Sequence, residues 1–178
     1  LCRTDEGYRN LCILLSRAYL DSPPQARVPP IDRGLPKEHV KGPRALSGSL
    51  SGEIPQEILA GRVEDAIDLA RGYADMFDED CFYLEVIRNG IKEQDDVNEQ
   101  IIRIASQLSL PLVATADAHY NSRDEAAAHE VLMCIQMGKT LPSLETRARL
   151  TDDFHLASGV EMEERFADLP GALANTAR

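Results

Sequence analysis

Apolar and polar positions alternate along the chain with two different periods. Apolar residues recur every three or four positions, the helical spacing, in residues 5–20, 63–76, 93–108 and 123–137, and a shorter stretch of this kind covers residues 53–59. Three short apolar runs rich in branched or aromatic side chains predict strands, at residues 44–47, 81–87 and 110–115. The pattern therefore predicts five helices and three strands up to residue 137.

Strands and helices follow one another from residue 44 to residue 137. This order is typical of an α/β fold with a parallel sheet or a barrel, in which chemistry occurs at the carboxyl ends of the strands. Just beyond the strand predicted at residues 110–115, the chain carries Asp117 and His119. The order of elements thus makes these two residues candidates for the chemistry of the protein.

The N-terminal part of the chain has a helical stripe followed by a proline-rich segment. The stripe of the first predicted helix consists of Tyr8, Leu11, Cys12, Leu15 and Tyr19, and we expect it to pack against a sheet. Residues 22–43 contain six of the ten prolines. Because proline lacks a backbone donor and blocks regular structure, we expect a surface excursion there.

Three local signals mark helix ends. Ser122 is followed three residues later by Glu125, and Ser158 by Glu161, which is the spacing of a capping box. Gly138 follows the last apolar position of the helix predicted at residues 123–137 and is expected to end it.

Composition narrows the class of protein. Hydrophobic residues make up 43% of the 178 residues, which is enough for one core. No apolar run approaches the roughly 18 residues needed to span a bilayer, so we expect a cytoplasmic protein without a membrane segment. The four cysteines have no CxxC spacing. This argues against a zinc knuckle or a disulfide framework and favours reduced thiols, most of them in the core.

The net charge of −11 argues against nucleic-acid binding over the whole surface, because lysine and arginine neutralise phosphates. Charge is uneven: residues 1–50 carry eight Lys and Arg against five Asp and Glu, and residues 51–178 carry eleven against 25. The basic excess near the N-terminus fits either a face that contacts a nucleic-acid backbone or an ordinary solvated surface. The chain opens at Leu1 and closes at Arg178 inside a helix-like pattern, so we expect it to be part of a longer protein.

Asp117 and His119 are the best candidates for metal binding. They lie two residues apart, so in an extended segment both side chains project to the same side. Zinc and manganese accept mixed oxygen and nitrogen ligands. The alternative is a loop aspartate that caps a backbone group beside an exposed histidine.

His129 and Ser49 are weaker candidates. His129 lies one turn after Glu125 and is either a hydrogen-bonded support for the site or a half-buried histidine of a helix face. Ser49 belongs to a Gly-Ser-Leu-Ser-Gly run that lacks the lysine of a phosphate-binding loop, so a tight turn is expected. In a parallel sheet Ser49 faces the same end as Asp117. His39 is expected at the surface. His155 has no partner nearby in sequence and is not expected to be a ligand.

Residues 110–141 closely resemble the PHP domain (polymerase and histidinol phosphatase) of bacterial DNA polymerase III alpha subunits. The similarity runs without gaps through LPLVATADAHY at 110–120, AHEVL at 128–132 and GKTL at 138–141. Other stretches agree in the same order: GYRNL at 7–11, ALSG at 45–48, GEIP at 52–55, FYLE at 82–85, FADLP at 166–170 and NT at 175–176. The resemblance covers essentially the whole chain.

This resemblance implies an α/β fold of the PHP type, here an incomplete distorted (β/α) barrel, with up to three metals at the carboxyl ends of its strands. Asp117 and His119 match the last metal-binding motif of the family, which implies that they are both metal ligands and catalytic residues. Zinc, manganese or magnesium is the expected metal of the complete domain. Weak or no metal binding is expected of this chain alone, because two ligands rarely hold a metal.

The chain departs from the family pattern in three ways. The first motifs, a His-x-His and further His and Glu ligands, lie upstream of where Leu1 aligns. Ser49 stands where many metal-binding members have a cysteine, which is a much better ligand. Ala116 stands where an asparagine is usual, and we expect little effect from it. Ser49 and His129 are therefore expected to be supporting residues or vestigial ligand positions.

The resemblance also implies a division of the chain and a set of partners. Residues 1–157 would be a partial PHP domain that lacks its N-terminal strands, and residues 158–178 a helical segment leading toward the polymerase palm. The parent would be a DNA-directed DNA polymerase, a nucleotidyltransferase of DNA replication, with DNA, the proofreading subunit and the sliding clamp as partners. Its PHP domain would be a metal-dependent 3′–5′ exonuclease or a non-catalytic scaffold that stabilises the polymerase and docks the proofreading subunit. A free-standing PHP phosphatase fits the fold but not the stretch at 166–170.

Overall fold

The structure, a computed structural model, describes residues 1–23, 39–140 and 151–178. Its elements in chain order are α1 (Asp5–Asp21), β1 (Ala45–Leu46), α2 (Glu53–Leu59), α3 (Val63–Met76), β2 (Phe82–Ile87), α4 (Lys92–Leu108), β3 (Leu112–Thr115), a 3-10 turn (Arg123–Glu125), α5 (Ala126–Met137), α6 (Gly159–Arg165) and α7 (Pro170–Thr176). The helices and strands predicted from the apolar pattern are all present. The largest difference at a strand boundary is two residues, at the start of β3.

The three strands form a parallel sheet in the order β1-β2-β3. Ala45 pairs with Phe82 at one side of β2, and Leu84 pairs with Leu112 at the other. Two helices, α2 and α3, connect β1 to β2, and α4 connects β2 to β3; helical crossovers of this kind are how parallel strands are joined. The predicted α/β class is confirmed. Closure of the sheet into a barrel is not seen among residues 1–23, 39–140 and 151–178.

One face of the sheet packs against the helices and forms the core. Phe82, Leu84 and Val86 alternate along β2 and point into this core, which α2, α3 and α4 cover. Helices α6 and α7 add Met162 and the fully buried Phe166 to the same cluster. The segment 158–178 therefore packs on the sheet, while its separate assignment as a lead toward a palm stays a prediction.

Helix α7 also covers the outer edge of β3. The amide nitrogen of Asn175 donates a hydrogen bond to the carbonyl of Leu112 (2.8 Å), and the hydroxyl of Thr176 donates to the carbonyl of Ala114 (2.6 Å). These two bonds satisfy backbone acceptors that a neighbouring strand would otherwise use, and an edge covered in this way is protected from pairing with other chains.

The predicted buried face of α1 is wrong. Tyr8, Leu15 and Tyr19 are exposed, and the buried positions are Gly7, Asn10, Leu14 and Ala18. Non-local contacts select this face. A Cβ on Gly7 would lie 2.6 Å from the carbonyl carbon of Gly42, and the Asn10 amide donates to the Lys41 carbonyl (3.0 Å). The helix packs on residues 41–43 rather than on the sheet, since a glycine and a polar anchor allow a close backbone approach that the apolar stripe does not.

The helix-end signals give mixed results. Ser158 and Glu161 form the predicted capping box, and Gly138 ends α5 in the left-handed conformation at φ 63°. The capping box predicted at Ser122 is wrong, because the Ser122 side chain makes no capping bond. The Glu125 carboxylate instead accepts from the backbone N–H of Asn121 (2.8 Å), one residue earlier than predicted.

The proline-rich excursion predicted at residues 22–43 lies largely outside the described residues, since 24–38 are not among them.

All four cysteines are free. Cys81 and Cys134 are buried, whereas Cys2 and Cys12 are exposed, so the expectation of mostly core thiols holds for half of them. Within the described parts of the chain, every helix is too short or too polar to cross a bilayer.

Candidate metal centre

Asp117 lies two residues beyond β3, where the backbone departs from the extended conformation. Its φ of 49° is in the left-handed region, which aspartate tolerates better than most side chains. Two residues later, the His119 N–H donates to the carbonyl of Phe154 (2.8 Å). An ordered left-handed turn at a strand end is a conformation that proteins often use at functional sites.

The structure brings the two predicted ligands together. Asp117 Oδ1 lies 3.5 Å from His119 Nε2, with the side chains 31% and 50% exposed. The prediction assumed an extended segment, whereas the backbone at Asp117 is left-handed, so the two groups meet through the turn rather than through strand alternation. A carboxylate oxygen and an imidazole nitrogen at this separation face solvent together, where a cation can reach both.

His129 joins this pair through its ring. The His129 ring lies 5.3 Å from that of His119 and 5.3 Å from that of Tyr120, and Phe154 meets His119 edge-on at 5.4 Å. Burial, together with the charge on His119, lowers the pKa of His129, which favours the neutral imidazole that binds metals. Of the two alternatives for His129, the half-buried histidine of a helix face is the one seen, and Glu125 bonds to the backbone of Asn121.

Ser49 lies in the tight turn that follows β1. Gly48 has φ 82°, and a Cβ on Gly52 would meet the Ser47 carbonyl at 2.4 Å, so both glycines are needed for the turn. Because β1 and β3 are both parallel to β2, Ser49 and Asp117 lie at the same edge of the sheet. Among the described residues no group of three or more His, Cys, Asp or Glu is arranged to hold a metal ion.

Glu85, a carboxylate in the central strand, was not among the residues predicted from the sequence. Its Oε1 accepts a hydrogen bond from the Thr115 hydroxyl (2.5 Å), and the Gly48 N–H lies close to the same carboxylate. Burial raises the pKa of Glu85, and the negative charge of Asp117 adds to this effect. The available signal was a charged residue inside an otherwise apolar strand, FYLEVI, an uncommon position for an acid.

A second charged cluster surrounds His155, for which no partner was expected. The ring is 6% exposed, and its Nε2 lies 3.0 Å from Glu161 Oε1. Asp153 is held nearby by Arg123 (2.8 Å) and Arg165 (3.0 Å). Because both arginines neutralise Asp153, this acid is not available to bind a cation. The cluster therefore attaches the segment 151–158 to α6 and does not form a metal site.

Comparison with known proteins gives matches over both halves of the chain. The family model described as PHP domain matches residues 1–89, a range that includes Ser49 and Glu85. DNA polymerase III subunit alpha of Borreliella burgdorferi is 39% identical over 179 residues, covering all of this chain and 15% of the relative. The same subunit of Helicobacter pylori is 37% identical over 98% of the chain and 15% of the relative, and that of Thermus aquaticus 39% over 91% and 13%.

The chain spans about 15% of the length of the curated relatives it matches. Asp117 and His119 lie outside the part matched by the family model and inside the part aligned with the Borreliella burgdorferi relative, which covers the whole chain. The resemblance to alpha subunits noted at residues 110–141 is confirmed by these matches. The chain belongs to the PHP domain family.

Proposed function

We propose that this chain is the PHP part of a DNA polymerase III alpha subunit and that Asp117 and His119 hold a divalent metal in a 3′–5′ exonuclease site. The observation that carries the proposal is the left-handed turn at Asp117, which places Oδ1 3.5 Å from His119 Nε2 beyond the carboxyl end of β3. The similarity to alpha subunits over nearly the whole chain supports the same parent.

The donors present fit one side of a metal site. One carboxylate and one imidazole are ligands that zinc and manganese accept, and magnesium accepts the carboxylate. A catalytic zinc needs about three protein ligands, so the remaining ligands would come from other parts of the parent. When bound, the metal would lower the pKa of a water molecule and hold a phosphate diester.

The residues of this chain would prepare the site for that chemistry. Asp117 supplies negative charge and an oxygen donor from a fixed turn. The ring of His119 is held between those of His129 and Phe154, which limits its rotation. Holding ligands in a set orientation is what neighbouring side chains contribute to metal affinity.

The wider setting follows from the same parent. The three-stranded parallel sheet would be part of a distorted barrel that closes with strands supplied upstream. DNA, the proofreading subunit and the sliding clamp would be partners of the parent polymerase, which would act in the cytoplasm in DNA replication. The polymerase reaction itself would use palm carboxylates of the parent.

A second candidate function is a scaffold without catalysis. Ser49 occupies the position where many metal-binding members have a cysteine, and a hydroxyl is a much poorer ligand than a thiolate. In this case the domain would brace the polymerase and dock the proofreading subunit. The Asp117 turn would then be a structural relic of the metal motif.

The test uses the longer protein that contains this chain. Removal of 3′-terminal nucleotides from a primer–template is measured for the unmodified protein, for Asp117→Asn and for the control Asp124→Asn. Asparagine also tolerates the left-handed conformation, so the first variant removes charge without forcing the backbone. We expect a loss of more than the roughly 10–100-fold that supporting residues contribute.

Asp124 is exposed in the 3-10 turn after Asp117, so its variant should keep full activity. Chelation should abolish the activity, and zinc or manganese should restore it. Equal rates for the protein and for Asp117→Asn, or no exonuclease activity at all, would rule out the catalytic proposal and leave the scaffold.

A further inference from the structure

Glu85, in the central strand, contacts the carboxyl ends of both neighbouring strands. Its carboxylate accepts a hydrogen bond from the hydroxyl of Thr115, the last residue of β3, and the backbone N–H of Gly48, beyond β1, lies close to the same carboxylate. Its own N–H donates to the hydroxyl of Ser47 (2.9 Å). Glu85 thus bonds to the chain where each of the two neighbouring strands ends.

Stability alone gives little reason for an acid at this place. The other residues of β2 are buried and apolar or aromatic, and a charged group is seldom placed in such a strand. The partners of Glu85 are a hydroxyl and an amide, and the charged group that acts on it is the carboxylate of Asp117. A second negative charge beside a half-buried acid costs stability. The presence of Glu85 therefore needs an explanation other than the stability of the fold.

We propose that Glu85 is a positioning residue that sets the place of Ser49 and Asp117 relative to each other at the carboxyl edge of the sheet. Ser49 directly follows Gly48, and Asp117 follows Thr115 by two residues. Both turns contain a left-handed residue, Gly48 at φ 82° and Asp117 at φ 49°, so fixing their first residues fixes where the turns lead. The meaning of this placement for catalysis rests on the proposed function, whereas the placement itself does not.

The chemistry of a carboxylate suits this role better than that of an amide. The Thr115 hydroxyl donates to Glu85 and the Gly48 amide lies close to the same group, and a carboxylate offers two acceptor oxygens to such donors. Glutamine offers one acceptor oxygen and an NH₂ that can only donate. Glu85→Gln therefore keeps the shape of the side chain and weakens at least one of the two connections.

The test measures amide hydrogen exchange of the longer protein that contains this chain, read by mass spectrometry on peptides that cover residues 45–52 and 112–120. In Glu85→Gln we expect exchange in both peptides to rise by about tenfold, the effect of losing one hydrogen bond to a charged group. Thr115→Val, which removes the hydroxyl donor, should raise exchange in 112–120. Thr115→Ser, which retains the hydroxyl, should restore the original exchange.

Glu99→Gln is the matched control, because Glu99 is 72% exposed on α4 and away from the strand ends. It should leave both peptides unchanged. A purely structural role for Glu85 predicts that exchange rises throughout the domain, α4 included, and that result would overturn the proposal. Unchanged exchange in Glu85→Gln, or equal effects of Thr115→Ser and Thr115→Val, would overturn it as well.

Activity separates this proposal from the exonuclease proposal. If the longer protein degrades 3′ ends, Glu85→Gln should lower kcat while the KM for DNA stays the same, because DNA contacts are unaffected. An unchanged kcat would overturn the role of this placement in catalysis. If the protein has no exonuclease activity, the proposed function fails, and the exchange of residues 45–52 and 112–120 still decides whether Glu85 positions the two turns.

Discussion

The guanidinium of Arg88 donates two hydrogen bonds to the carboxylate of Asp168, with Nη1–Oδ1 at 2.6 Å and Nη2–Oδ2 at 2.8 Å. Arg88 directly follows β2, and Asp168 lies between α6 and α7. The guanidinium also lies over the ring of Phe166, 5.1 Å from its centroid, and the Arg165 side chain donates back to the Arg88 carbonyl (3.1 Å). These contacts attach the C-terminal helices to the central strand.

The Arg88–Asp168 pair should contribute a small but measurable coupling. The side chains are 31% and 62% exposed, so water screens the charges, and a coupling of about 0.2–1 kcal/mol is expected. A double-mutant cycle with Arg88→Gln and Asp168→Asn, in which each variant removes one charge of the pair, followed by urea unfolding, measures it.

The control for this cycle is the Arg103–Glu99 pair on α4, whose atoms are 4.0 Å apart and more than 70% exposed. Its coupling should be near zero. Equal coupling for the two pairs would mean that the two-point geometry of Arg88 adds nothing.

Phe166→Ala should destabilise the domain by about 3–5 kcal/mol, because removing a fully buried aromatic ring loses its transfer energy and leaves a cavity. Phe166 is 0% exposed and belongs to the core that α6 and α7 share with the sheet. Urea unfolding followed by circular dichroism provides the measurement. Val160→Ala, at a position 64% exposed on the same helix, should change stability by less than about 0.5 kcal/mol. A loss below 1 kcal/mol for Phe166→Ala would show that the segment 158–178 is not part of the core.

Local sequence predicted the elements well where packing is repetitive. Helices α2 and α3 have the predicted bounds, Glu53–Leu59 and Val63–Met76, because a regular apolar spacing and the adjacent polar turns both define them. The face of α1 could not be predicted in this way. It depends on the approach of Gly7 to Gly42, 35 residues away in sequence, which no local period records.

The candidate site shows the same division. Asp117 was found because a strand end in a parallel sheet is a general position for chemistry. Glu85 was missed because its importance depends on register, which places the ends of three strands around it. His155 was left without a partner because its acid, Glu161, lies six residues later across a turn and a helix start. Single positions are readable from sequence, whereas pairs formed by tertiary structure are not.

The capping box of α6 should make stability depend on pH in the acid range. The Ser158 N–H, the His155 ring and the Ser158 hydroxyl lower the pKa of Glu161 from 4.5 to about 2. For a carboxyl whose folded pKa is depressed, the added stability is complete above the unfolded pKa and is lost as pH falls through the folded pKa. Glu161 should therefore stabilise the fold above pH 4.5, with the contribution disappearing between about pH 4.5 and 2.

Glu161→Gln tests this dependence. At pH 7 the variant should unfold at lower urea concentration than the unmodified chain, and the difference should shrink steadily as the pH is lowered to about 2. Comparing the two proteins at each pH cancels the titration of the groups that do not contact Glu161. Glu164→Gln, at an exposed position of the same helix, should unfold at the same urea concentration as the unmodified chain at every pH. A difference that stays constant from pH 7 to pH 2 would contradict the assigned pKa shift.

Zinc should bind the 178-residue chain only weakly. Asp117 and His119 offer two donors, and no third His, Cys, Asp or Glu joins them into a metal-binding group in the described parts of the chain. Because zinc sites in proteins use three or four protein ligands, isothermal titration should give no sub-micromolar affinity. The residual binding should fall in Asp117→Asn and persist in Asp124→Asn, which leaves both donors intact. A sub-micromolar affinity that Asp117→Asn abolishes would mean that the chain completes the site with its own residues. His129, whose ring lies 5.3 Å from that of His119, would then be the first ligand to test by substitution with glutamine.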